Sequence, residues 1–374
     1  MTTTWIAAHR TAVISPYEPF QLIESRGFSD QTVRQSLRLA GAGEALRIGL
    51  SNRFGKEPLE IGGAHLTGDG IDTPLTFGGA PTVTVPAGGE LVSDPVEQAV
   101  TAGQVLTVSL YLPGDTGLTT FSAVPHDIGH AAPGDQLTAA VLRDAEEVTT
   151  GHFGLAADVL APEDTRIAVA FGDSWIEGAA TTPGLDNSFP SQLGRRLTRG
   201  WIVNQGISGN RLLTDQIGEH LLARLDRDVL AVPGARHVLV HIGLNDLGMP
   251  GYRAHPEPAE VPTAAELVAG LTTLAERLHA AGLSVVATTV GPYRGTVYEG
   301  YDTEAGQAAR REVNAWLLGD THPFDGIVDV AAAVADPERP DRIRAEFDSG
   351  DGLHVNDAGA KAIADAVDLD LFDL

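Results

Sequence analysis

Hydrophobic and polar positions alternate along the first part of the chain. Residues 31–39, 45–50, 81–85 and 104–112 place apolar side chains at every second position. That period predicts strands with one face buried and the other in water. Turn-forming residues punctuate the runs: Gly41 and Gly43, Gly78 and Gly79, Gly88 and Gly89, then Pro113 to Asp115. Short strands at regular spacing with Gly/Pro punctuation predict an all-β sandwich, and no long helical pattern interrupts them.

After residues 161–164 the rhythm changes. Residues 167–171, 238–242 and 284–290 are nearly continuous apolar runs, and 201–203 and 327–330 are weaker ones. Such runs suit strands covered on both faces. Helical stretches alternate with them. In residues 263–281, Leu267, Leu271, Leu274 and Leu278 recur at helical spacing and Gly282 ends the pattern. Strand–helix alternation predicts a parallel sheet wrapped by helices. The expected domains are therefore 1–162, all-β, and 163–374, α/β.

Composition narrows the chemistry. The 374 residues contain no cysteine, which excludes a thiolate nucleophile and cysteine-ligated metal centres. With 25 Lys+Arg against 50 Asp+Glu, the net charge of −25 repels phosphate backbones and anionic lipid. Nucleic acid and membrane are thus not expected partners. The first ten residues lack a basic region followed by an apolar run, so the expected location is cytoplasmic.

In an open parallel sheet, ligands sit at the carboxyl ends of the strands. Three predicted strands are followed there by Gly172, Asp173 and Ser174; by Asn204 to Asn210, including Gly209; and by Gly243, Leu244, Asn245 and Asp246. Asp351 and His354 stand just before the last helix. These residue types fit acyl transfer. A serine hydroxyl needs a base, which His354 can be, and Asp351 can hold that imidazole in the useful tautomer. The negative oxygen of a tetrahedral intermediate needs preorganised donors. The backbone N–H groups of Ser174 and Gly209 and the side-chain amide of Asn245 are the candidates.

The four clusters, in this order, resemble the four sequence blocks of the SGNH (GDSL) hydrolase superfamily. The resemblance covers residues 165–374 and implies a flavodoxin-like three-layer α/β/α domain. It implies an ester hydrolase with Ser174, Asp351 and His354 as catalytic residues. Ser174, Gly209 and Asn245 would form the oxyanion hole, with no metal and no organic cofactor. The first half, with residues 31–34 and 50–55, more loosely resembles the β-sandwich (jelly-roll-like) that precedes this domain in actinobacterial members. Trp175 departs from the smaller or aliphatic residues usual after the serine. It is expected either to narrow the site or to stack on a substrate ring.

Plainer readings exist for single residues. Ser174 could be a helix N-cap, Asp173 a loop brace, Asp246 a turn residue, and Asn356 and Asp357 caps of the final helix. His237 and His241 lie four apart, but the run between them reads as buried sheet rather than a metal site. His126, His130 and His152 read as surface or loop histidines.

Two loops are the expected substrate walls. Residues 247–256 bring Tyr252, and residues 291–301 bring Tyr293, Tyr298 and Tyr301. The expected substrate is a short-chain carboxylic ester or an acetylated sugar. Alternatives on the same site are a thioesterase, a lysophospholipase or a sugar O-acyltransferase. An alternative of another class is a carbohydrate- or partner-binding protein with a vestigial hydrolase domain.

Overall fold

The structure, a computed structural model, describes residues 2–254 and 259–374. The predicted wall at 247–256 thus has 255 and 256 outside the described residues. The chain divides into two compact units, Met1–Thr165 with Pro183–Leu185, and Arg166–Thr182 with Asp186–Leu374.

The first unit is all-β, with antiparallel sheets. A four-stranded sheet orders Thr3–His9, Ala156–Pro162, Leu46–Ser51 and Glu90–Val92. A six-stranded sheet orders Glu146–Val148, Gly129–Pro133, Gln31–Arg38, Val105–Leu112, Gly63–Gly68 and Ile71–Leu75. Gln31–Arg38 pairs along its whole length with Val105–Leu112. The period-two pattern explains the burial. Val33, Leu37, Leu106, Val108, Leu110 and Leu112 turn inward, as do Ile48, Ala157 and Val159 in the other sheet. No helix occurs among the described residues of this unit.

One histidine here departs from expectation. His152 is neither surface nor loop. It is 1% exposed and lies in a two-residue strand, with Thr119 Oγ1 at 2.7 Å from Nδ1 and Thr150 Oγ1 at 2.9 Å from Nε2. Burial pushes its imidazole down to about 3, so it is a neutral, fully partnered core group.

The second unit is built on a five-stranded parallel sheet. In spatial order the strands are Trp201–Gly206, Ile167–Gly172, Ala235–His241, Ser284–Thr288 and Gly326–Val328. Numbered along the chain this is 2-1-3-4-5, the flavodoxin-like winding. Every residue of Ile167–Gly172 is buried, so this interior strand is covered on both faces. The winding reverses between the first and third strands. A crevice opens at their carboxyl ends, where the loops beginning at Asp173 and Ile242 leave the sheet.

Helices cover the sheet. Ala264–Ala280 starts with a reciprocal capping box between Thr263 and Glu266 and buries Leu267, Leu271, Leu274 and Leu278. A cap of this kind typically contributes about 1 kcal/mol, and each buried leucine about 1.5–3 kcal/mol. Asp357–Ala366 is capped by Asn356, which accepts from Ala358 N and Gly359 N. Asp357 does something else: it accepts from Thr182 N, Thr182 Oγ1 and Asn187 Nδ2, tying the helix start to the loop at 182–187. No helix among the described residues is long and apolar enough to cross a membrane.

Candidate active site

The first strand ends in a sharp turn into one helical turn, Ser174–Glu177. Its N-cap is Asp173, whose Oδ1 accepts from Trp175 N at 3.1 Å. Because Asp173 takes the capping duty, the Ser174 hydroxyl is left for other work. Ser174 Oγ lies 3.1 Å from His354 Nε2. Being the first residue of the helix, Ser174 has no intrahelical partner for its backbone N–H.

The acid–base loop arrives from the far end of the unit. His354 Nδ1 is 2.6 Å from Asp351 Oδ2. Asp351 Oδ1 accepts from Leu353 N and His354 N, both at 2.8 Å, which curls the loop around the carboxylate. Burial pushes the Asp351 carboxyl up, but the His354 hydrogen bond and charge, with the two backbone donors, outweigh it. The carboxyl is held well below the usual carboxylate range. An ionised Asp351 fixes the proton on Nδ1 and leaves Nε2 free to accept from serine.

Across the crevice, Gly209 has φ of +81° and a Cβ there would strike the Ile217 side chain. Only glycine suits that position. Among the described residues, nothing accepts from the Ser174 or Gly209 backbone N–H. Asn245 is 4% exposed; its Nδ2 donates to Asn210 O at 3.0 Å and its Oδ1 accepts from Tyr301 Oη at 2.9 Å. Asp246 accepts from Leu212 N and Leu213 N, a structural duty.

Arg224 was not singled out by sequence. It is fully buried in the short helix Leu221–Leu225 and pairs with Asp228 at 3.0 Å, on the π-helical turn Asp226–Leu230 that follows. Its guanidinium donates to Gly172 O, Gln205 O and Asn210 Oδ1. It therefore clamps the ends of the first and second strands and the Asn210 side chain together. A single arginine in the helix Leu221–Leu225 carries no sequence signal of that role.

The expected walls divide. Tyr252 and Tyr298 are partly exposed, and Tyr298 stands edge-on to His354 with ring centres 6.4 Å apart. Its hydroxyl lies 3.3 Å from Asp351 Oδ2. Tyr293 is 0% exposed and Tyr301 2%, so neither forms wall surface; both pack inside, edge-to-face at 5.7 Å. Trp175 is also turned inward, at 3% exposure. It stacks on His241 with ring centres 4.9 Å apart, and its Nε1 donates to Leu353 O at 3.0 Å. A Cβ at Gly291 would collide with that indole, so the tryptophan fits because residue 291 is glycine. Rather than stacking on substrate, Trp175 ties the serine loop to the acid–base loop. Beneath it, His241 Nδ1 meets Thr288 Oγ1 at 2.7 Å, and burial pushes the imidazole down to about 3.

A flavodoxin-like sheet with serine, histidine and aspartate in hydrogen-bonded sequence at its switch point defines a hydrolase of the acyl-transfer class. The model of the GDSL-like lipase/acylhydrolase family matches residues 170–362. The chain belongs to that family and is a carboxylic ester hydrolase. Among solved structures, it is similar to a GDSL-like lipase from Bacteroides thetaiotaomicron, at 18% identity, 55% of this chain, 87% of that one and a TM-score of 0.41. It is also similar to the aryl esterase of M. smegmatis (14%, 54% and 96%, TM-score 0.40). A carbohydrate acetylesterase from Sinorhizobium meliloti is a third (16%, 54% and 96%, TM-score 0.41). No curated protein matches the chain.

Proposed function

We propose that the chain is a serine esterase that hydrolyses short-chain carboxylic esters, acetyl or small acyl groups, including those on sugars. The observation that carries the reading is the unbroken line from Ser174 Oγ through His354 to the Asp351 carboxylate. His354 Nε2 takes the serine proton as Oγ attacks the ester carbonyl. The oxyanion is met by the N–H groups of Ser174 and Gly209 and by Asn245 Nδ2. Collapse expels the alcohol, which receives its proton from His354, and leaves an acyl group on Ser174. Water, activated by the same imidazole, then releases the acid.

The small-acyl preference is supported by what flanks the serine. Trp175 and Ile176 are buried and packed, and the partly exposed aromatics Tyr252 and Tyr298 carry hydroxyls suited to a polar alcohol. Initial rates on p-nitrophenyl esters from acetate to laurate, for wild type and Ser174→Ala, test the reading. Activity should concentrate on acetate and butyrate and fall at least about 10⁴-fold in the variant. A maximum at laurate would overturn the short-chain assignment. Undiminished turnover by Ser174→Ala would overturn the mechanism.

A further inference from the structure

The oxyanion donor Asn245 has a problem common to primary amides. Its oxygen and nitrogen occupy similar space, and only one of them can help a developing negative charge. Two contacts settle the choice in this fold. Nδ2 donates one proton to Asn210 O at 3.0 Å, and Oδ1 accepts from Tyr301 Oη at 2.9 Å. Nδ2 is thereby turned with its second proton unspent. A rotated amide would set Oδ1 against the Asn210 carbonyl oxygen, two acceptors facing each other.

Tyr301 itself has little freedom. Its ring lies edge-on to Tyr293, at 5.7 Å and 89°, and 6.4 Å from the ring of Tyr298. It also occupies the space that a Cβ on Gly248 would need. The other acceptor near its hydroxyl is Leu244 O at 3.3 Å. Burial raises its phenol well above the ordinary value, so the hydroxyl is a donor throughout the working pH range. The same loop braces the opposite end of the machinery: Thr296 Oγ1 and Val297 N donate to Asp351 O at 2.9 Å, and Tyr298 Oη approaches Asp351 Oδ2.

We infer that Tyr301 is a positioning residue for ester hydrolysis: its buried hydroxyl locks the Asn245 amide so that nitrogen, not oxygen, faces the oxyanion. Accepting that hydrogen bond also polarises the amide and strengthens its remaining N–H as a donor. The inference rests on the serine-esterase reading above and adds a residue that touches no reacting atom.

Tyr301→Phe keeps the ring and removes only the hydroxyl. With p-nitrophenyl acetate as probe, kcat should fall about tenfold to a hundredfold, bounded by the roughly 10² to 10³ that loss of a whole oxyanion donor costs. KM should stay within about twofold, because ground-state binding does not use the oxyanion. The thermal midpoint should stay close to wild type. In an Asn245→Ala background, where nothing remains to be positioned, the same substitution should leave kcat unchanged. An unaltered kcat in Tyr301→Phe, or an equal loss with and without Asn245, would overturn the inference while the Ser174→Ala result stands. A readout free of turnover is the Asn245 side-chain amide in NMR, identified by its disappearance in Asn245→Ala. Its two proton signals should be sharp and separate in wild type and broadened in Tyr301→Phe; signals unchanged by the substitution would count against the lock.

Discussion

The two units treat buried polarity differently. In the all-β unit, His152 has a hydroxyl on each ring nitrogen, and Gln35 bonds both ways with the His152 backbone. Asp158 is held by Arg10 and Arg47 together. Among the described residues, Ser122 Oγ is a buried atom without a protein partner in the all-β unit, whereas the α/β unit has more of them, five on or beside the ends of the first three strands: Asp173 Oδ2, Gln205 Oε1, Ser208 Oγ, Arg211 Nε and His241 Nε2. Buried polar atoms are normally paired, and unpaired ones concentrate where function demands it. The contrast teaches that one unit uses buried polar groups to fix a core. The other spends stability to keep donors and acceptors ready at the ends of its strands.

Matched substitutions can break that contrast. Asn245→Ala should lower kcat by about 10² to 10³ and, by taking a partner from the buried Tyr301 hydroxyl and from Asn210 O, cost about 1–3 kcal/mol of stability. His152→Ala should cost about 3 kcal/mol by opening a cavity and orphaning two hydroxyls, but leave kcat per folded molecule unchanged. Chemical denaturation alongside steady-state kinetics reads both, and similar profiles for the two variants would dissolve the distinction.

Trp175→Phe, which keeps a ring over His241 but loses the bond to Leu353 O, should lower kcat by about fivefold. An unaffected rate would mean the indole only fills space.

On the acid side, log kcat/KM should fall with a slope no steeper than one. Asp351 is held ionised well below the usual carboxylate range and contributes no second proton there. A slope of two down to pH 5 would contradict that electrostatic picture.

The smallest effect belongs to Asp173. Burial, with the nearby Asp246 charge adding to it, pushes this carboxyl up to about 8, whereas in an unfolded chain it ionises near the reference value of about 3.9. Between those values the folded state holds a proton that the unfolded state has lost, so stability declines as pH rises through the window. Asp173→Asn removes that slope. Its midpoint should exceed wild type by about 2–4 °C at pH 8, with a smaller difference at pH 4. A pH-independent difference would show that Asp173 is ionised in the fold.

Much of the catalytic sheet was legible because strands buried on both faces read as apolar runs. The errors sit at strand ends. The third strand begins at Ala235, ahead of the predicted 238, since Arg236 and His237 hide the pattern. The last strand stops at Val328, because Asp329 caps a helix that starts at Val330. In the first unit, Thr3–His9 was missed, as its alanines carry little strand signal. Ser174 and the Asp351–His354 pair, which the fold brings into hydrogen-bonded sequence, were singled out by their order in the chain, and Ser174, Gly209 and Asn245 also by their positions after strands. Tyr293 and Tyr301 were read as wall, and Trp175 as narrowing the site or stacking on substrate, because an aromatic side chain in sequence gives no hint of which way it points. Arg224 could not be read at all, since two of its partners are backbone carbonyls 19 and 52 residues away.

The pairing of Trp175 with Gly291 bears on how this scaffold could change its range of substrates. The indole fills space beside the serine and at the same time tethers the loop that carries the base. Carving room for a bulkier acyl group by trimming that ring would slacken the proton relay in the same stroke. Substitution at Gly291 would drive the ring out of place. Val297 differs: its side chain is 67% exposed, and it bonds to the acid–base loop through its backbone N–H. Evolution or design can vary that side chain while the chemistry stays intact.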